Sequence, residues 1–247
     1  MRVGAVKIAL LHNIVAIFFA IIFLSTAQAS EYRLPTGDIP PWSMSSSAEF
    51  PGPVIEIMKE VDRRLGNETE LEVIPWGRAQ EIAKREKNVI IFPLTRVPER
   101  EDSYSWIFPI RKMNFAFVTT DNRKLDAEQA RSLSGILVHG NSLPQIILER
   151  MGFTNLILFA TNYSGITKVL HKGRAESWFA DVDMLRWMHT TNPGRNDLTI
   201  GPNIFDGVLY AAGSPDLSKE TISRFHKALS ELKQDGTMQQ IFSRYGL

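Results

Sequence analysis

Residues 88–110, NVIIFPLTRVPEREDSYSWIFPI, constrain the fold of this chain more than any other stretch. Val89, Ile90, Ile91 and Phe92 are four successive apolar positions. A strand apolar on both faces reads as one covered on both sides, as in a parallel α/β sheet. The strand predicted over 88–94 stops abruptly and delivers Thr95, Arg96 and Arg100 just past its carboxyl end. Open α/β sheets bind ligands at that end of their strands. A guanidinium there suits a carboxylate, because its planar fork grips both oxygens. The alternative is that these arginines are solvated, or pair with Glu99, Glu101 or Asp102.

The front of the chain reads as an export signal. Arg2 and Lys7, the apolar run 14–24 and the small-residue site Ala27-Gln28-Ala29 predict a cleaved signal peptide over 1–29. The apolar run is short for a span of ~20 residues. No cysteine follows the site, so no lipid-modified terminus is expected. The protein is therefore expected to be exported, its mature chain beginning near Ser30. Removing Arg2 and Lys7 takes the 28 basic residues to 26 against 27 acidic ones, a net −1. A near-neutral chain without basic tracts offers little to nucleic acid or to an anionic membrane. The chain has no cysteine, hence no disulfide, thiol nucleophile or Cys-based metal site. A chain of this length buries enough core without disulfides. The five histidines lack a paired spacing such as His-Glu-x-x-His, so neither metal nor cofactor is expected.

Helices and strands alternate through the remainder. Strands are predicted over 31–34, 70–74, 88–94 and 113–120, then 136–138, 156–160, 176–180 and 208–212. The helix predicted over 54–65 carries Val54, Ile57, Met58, Val61 and Leu65 on one stripe and is closed by Gly66. Further helices are predicted from the Pro75-Trp76-Gly77-Arg78 turn, from Pro144 to Gly152, from a Ser164 cap to 171, and over 182–189. Ser218 caps a long helix whose buried face is Ile222, Phe225, Leu229 and Leu232, and Asp235-Gly236 separates it from a last short helix. Two successive βαβ-rich blocks without a flexible linker predict two α/β lobes, hinged around a cleft.

Three segments carry a family likeness. They are Thr95-Arg96-Val97-Pro98-Glu99-Arg100 followed by Trp106 and Pro109; Gly173-Arg174-Ala175-Glu176 leading to Asp181; and Ala228-Leu229 through Asp235-Gly236-Thr237 to Ile241 and Arg244-Tyr245. In this order, behind a signal peptide, they resemble the bacterial extracellular solute-binding proteins of family 3. Those are the periplasmic receptors for polar amino acids that serve ABC transporters. The resemblance implies a two-lobed type II periplasmic binding protein whose lobes are joined by two crossing strands. Lobe 1 would be 30–112 plus 206–247, lobe 2 113–205, with hinges near 111–114 and 203–206. It implies that Arg100 grips the ligand α-carboxylate, that Thr95 assists, and that Asp181 takes the α-ammonium. It further implies that Trp76 stacks on the ligand, that Trp42 lines the pocket, and that Asn141 and Ser142 offer a turn to it. A helix amino terminus there favours an anion on physical grounds as well.

The chain departs from the family pattern at Arg85-Glu86-Lys87-Asn88, where a small-Gly-x-x-Asp run is usual, and it reads as a divergent branch. Asp183 competes with Asp181 for the ammonium. Trp106 and Trp187 are expected in the core. His139, Ser142 and Asp181 could be imagined as a triad, but no nucleophile elbow is present, and no catalytic residue is expected. A dehydratase-like enzyme on the same fold would need a general acid, Glu176 or Asp183. The expected partners are a small-molecule ligand and a membrane permease or sensor, with the receptor itself a monomer.

Overall fold

The apolar run at 89–92 falls in strand β3 (Ile90–Thr95), every residue of which is buried. In the computed structural model, which describes residues 32–44, 49–159, 165–191 and 198–247, β3 has a parallel neighbour on one side and an antiparallel one on the other. The sheet is thus mixed where the sequence predicts a parallel one. The expected signal peptide, the serines at 45–47 and the predicted Ser164 cap lie outside the described residues.

Strand β1 (Leu34–Thr36) leads to helix α1 (Pro53–Arg64) and strand β2 (Leu71–Val73), which pairs parallel to β1. Helix α1 buries Val54, Ile55, Ile57, Met58 and Val61 against the sheet, and Gly66 follows it at φ 80°. That left-handed conformation is open to glycine at little cost. Helix α2 (Trp76–Arg85) then returns the chain to β3. A 3₁₀ turn (Pro98–Ser103) leads into β4 (Ser105–Thr119).

Strand β4 is fifteen residues long, well beyond the predicted 113–120. Its antiparallel partner β9 (Phe205–Gly213) accounts for the extra length. Pairing runs from Ser105 opposite Gly213 to Phe115 opposite Phe205, so Trp106 and Phe108 join the ladder through tertiary pairing, with Ile107 at a register shift between them. From Phe115, opposite Asp181, to Val118, β4 pairs with β7 (Ser177–Asp181). The two long strands therefore join two α/β halves.

The second half contains α3 (Ala127–Arg131), β5 (Ile136–His139), α4 (Leu143–Arg150), β6 (Leu156–Phe159), α5 (Ile166–His171), β7, α6 (Val182–Thr191) and β8 (Thr199–Ile200). Helix α3 and the two-residue strand β8 have no counterpart in the sequence reading; α3 is the only helix among them. It is five residues long and held by a capping box between Asp126 and Gln129, too short to show an apolar period. The chain ends in α7 (Lys219–Gln234) and α8 (Thr237–Arg244). Ser218 caps α7 by accepting from the Thr221 N–H at 3.0 Å, and Phe225, Leu229 and Leu232 are buried beneath it while Ile222 is half-buried. Among the described residues the strands form one sheet in the order β2-β1-β3-β9-β4-β7-β5-β6, with β8 on β4.

Candidate functional site

The carboxyl ends of β3, β5 and β7 converge on one cavity of about 70 Å³. That is room for roughly five waters, or for a small organic group, at about 10–15 Å³ each. Six of the seven residues singled out in the sequence line it: Trp42, Trp76, Thr95, Arg100, Ser142 and Asp181. The seventh, Asn141, does not. It lies in an adjoining polar groove with Gln80 and Arg100, because its backbone sits in the left-handed region at φ 56°. Asparagine tolerates that conformation, and the turn aims its side chain away from the cavity and toward Gly77.

The two arginines of the 95–100 segment take different roles. Arg96 points outward, forms an exposed ion pair with Glu101 and stacks near the rings of Trp106 and Tyr210 at 5.3 and 5.7 Å. Arg100 points inward from the 3₁₀ turn and is 6% exposed. Glu99, beside it, turns outward to pair with Arg150. Arg100 donates to the Thr95 carbonyl at 3.2 Å and to Gln80 Oε1 at 3.3 Å. Among the described residues no carboxylate forms an ion pair with it. Burial pushes the guanidinium below its ordinary value. A guanidinium carries five N–H donors, and burying one without an anion costs several kcal/mol. An anion in the cavity would offset that cost.

Asp181, at the end of β7, is the cavity's acid. Trp42 Nε1 donates to its Oδ2 at 2.7 Å and the Asp183 N–H to its Oδ1 at 3.1 Å. Desolvation and the negative charge of Asp183 outweigh these bonds and push Asp181 up to about 7. Asp183 faces elsewhere, bonded to Arg111 at 3.0 Å and Arg186 at 3.1 Å. Glu176 pairs with Arg123 at the surface. Of the acids weighed in the sequence, only Asp181 reaches the cavity.

Sequence reasoning missed much of the wall. Trp178, Phe179, Phe115, Met113, Met184 and Ile39 also line the cavity. Trp178 and Phe179 sit in a fully buried strand beside Asp181, where they read as ordinary core. Apart from the indole nitrogens, the polar side chains facing the cavity are Thr95, Arg100, His139, Ser142 and Asp181. The imagined triad is not assembled, since the Ser142 hydroxyl donates to the His139 carbonyl. Two glycines admit the walls. A Cβ on Gly207 would stand 3.2 Å from the Phe115 ring and 3.3 Å from Thr95, and one on Gly37 would stand 3.0 Å from the Trp76 ring. Trp106 and Trp187, expected in the core, are only half-buried, Trp106 because its ring serves Arg96 at the surface.

Residues 35–247 match the bacterial extracellular solute-binding proteins, family 3. The chain belongs to this family. Comparison with curated protein sequences finds no match. Among solved structures, this family 3 protein is similar to a mutant of ArgBP from T. maritima, with a TM-score of 0.75 and 19% identity over 87% of this chain and 95% of that one. It is similar to the arginine-, lysine-, histidine-binding protein ArtJ from Geobacillus stearothermophilus, with a TM-score of 0.75 and 16% identity over 86% and 94% of the two chains. A histidine kinase sensor domain with similarity to periplasmic binding proteins also superposes at 0.75, with 16% identity over 88% and 97%. At such identities the likeness is one of fold, the two-lobed periplasmic binding protein.

Proposed function

We propose that this family 3 protein is an exported receptor that closes two lobes, 30–112 with 206–247 and 113–205, over a small carboxylate ligand and presents it to an ABC-type importer. The observation that carries the reading is Arg100, a buried guanidinium facing a cavity without an ion-paired acid among the described residues. Thr95 lines the same cavity as a hydroxyl partner, with Trp76 and Trp42 as apolar walls and Ser142 held by the His139 carbonyl. An amino acid, the ligand form implied by the family resemblance, would set its carboxylate on Arg100 and its ammonium on Asp181. Asn141 would act at the rim, where Gln80 Nε2 donates to its carbonyl at 2.9 Å. A thermal-shift screen against amino acids and small carboxylates tests the reading: a ligand at 100 times its Kd adds about 2.7 kcal/mol. Stabilisation by a carboxylate in the wild type and its loss in Arg100→Ala is the expected result. Equal stabilisation of both proteins by every active compound would discard it.

A second reading, that the receptor reports to a membrane sensor, is favoured by the fold likeness to a histidine kinase sensor domain. Cross-linking in intact cells separates the two: a permease subunit is the expected product, a sensor kinase the contrary one. The dehydratase alternative has less support, because neither Glu176 nor Asp183 lines the cavity.

A further inference from the structure

We propose that the cavity selects an aromatic or branched aliphatic carboxylate lacking an α-ammonium group, and that Trp42 sets this preference by capping Asp181. This rests on the receptor reading above, with Arg100 as the anchor. The residue that the family resemblance assigns to an ammonium is already engaged. The Trp42 indole N–H holds Asp181 Oδ2 at 2.7 Å, and the backbone N–H of Asp183 holds Oδ1 at 3.1 Å. These donors come from two residues, one of them a tryptophan 139 positions away that is itself 1% exposed.

An ammonium brings three donors that all need acceptors once water is removed. Two of the roughly four acceptor positions of the Asp181 carboxylate are already taken, leaving fewer than an ammonium's three donors need, and Ser142 spends its hydroxyl on the His139 carbonyl. Burial already pushes the Asp181 carboxyl up to about 7, so near neutral pH much of the charge that would hold a cation is lost. The remaining wall suits hydrocarbon. Trp42, Trp76 and Trp178 contribute three indoles and Phe115 and Phe179 two further rings. Met113 and Met184 supply adaptable thioethers that mould to an irregular apolar body. A monocarboxylate pairs with the Arg100 guanidinium and needs no further charged partner, whereas a zwitterion adds a cation that must share Asp181 with Trp42.

Matched probe pairs test the proposal: 3-phenylpropionate against phenylalanine, and 4-methylpentanoate against leucine, each by titration calorimetry at pH 7. The expected result is that each deamino acid binds at least about tenfold tighter than its amino acid, or about 1.4 kcal/mol. In Trp42→Phe, which keeps the ring and removes the N–H, that ratio should narrow because Asp181 Oδ2 is released. Equal or tighter binding of the amino acid to the wild type overturns the proposal. So does tighter binding of trimethylglycine, which would make the tryptophans a cage for a quaternary ammonium, and so does failure of either deamino acid to bind. If Trp42→Phe does not fold, the wild-type ratios decide. Arg100→Ala is the independent arm: undiminished 3-phenylpropionate binding there would remove the anchor of the receptor reading while leaving the measured preference to stand.

Discussion

Arg96 and Arg100 are separated by four positions and by opposite fates. Arg96 spends its charge on Glu101 in water, where an ion pair contributes little. Arg100 keeps its charge in the wall of the cavity, largely buried from solvent. Arg100→Ala is therefore expected to cost about 2–5 kcal/mol in ligand affinity. Arg96→Ala is expected to cost under about 1 kcal/mol. Calorimetry with one bound carboxylate checks both, and equal small losses would place the anchor elsewhere. Asp181 predicts a pH effect of the opposite sign to that of a salt-bridged acid. Its folded value, about 7, lies above its ordinary 3.8, so between those limits the folded state binds the extra proton. Its contribution to stability is fully present below about 3.8 and is lost as pH rises through about 7. Urea unfolding of the wild type relative to Asp181→Asn should show this decline between about pH 4 and 7 and a plateau above. A flat difference across that range would contradict the burial of its charge.

The elements that carry the site differ in how they are held. Strand β3 is secured on both edges and both faces, so Thr95 and the turn behind it are displayed from a rigid base. The 3₁₀ turn at Pro98–Ser103 splits neighbouring side chains, Glu99 outward to Arg150 and Arg100 inward. Helix α7 lies under β4 and is secured at its start by the Ser218 cap. Ser218→Ala should cost about 1 kcal/mol of stability, read as a lower urea midpoint with an unchanged slope. Ligand affinity should not change, since α7 lines no part of the cavity. Gly207, by contrast, lies against Phe115 and Thr95. Gly207→Ala should weaken ligand binding more than it lowers stability, because the added methyl presses on the wall; calorimetry beside thermal unfolding makes the comparison.

Across the molecule, contacts bridge the expected lobes at several points. Trp42 meets Asp181, Gln80 meets the Asn141 carbonyl at 2.9 Å, and Glu99 meets Arg150. The joining strands β4 and β9 run side by side as far as Phe115 and Phe205, where the chain crosses between halves. Opening would break the bridging contacts and leave that ladder intact. Solution scattering should therefore show a smaller radius of gyration when a carboxylate ligand is added, through a shift toward the closed population. No compaction with a tight ligand would argue against hinged closure.

Much of this was legible in the chain alone. The alternation of helix and strand, the Ser218 cap, the Gly66 stop and the apolar 89–92 strand follow from local rules of periodicity and backbone freedom, and they specified an α/β fold. The arginine turn at the end of that strand pointed to a ligand-facing position, since strand ends in such sheets face ligands, and Thr95 and Arg100 do line a cavity. What stayed hidden depends on pairing between distant segments. The length of β4 comes from β9, nearly a hundred residues on. The choice between Arg96 and Arg100, like that between Asp181 and Asp183, rests on which side chain the tertiary structure buries, and neighbours in sequence differ in that. Trp178 and Phe179 read as core because a fully buried strand looks alike from both faces. The bond from Trp42 to Asp181 joins two elements that meet only once the sheet has formed.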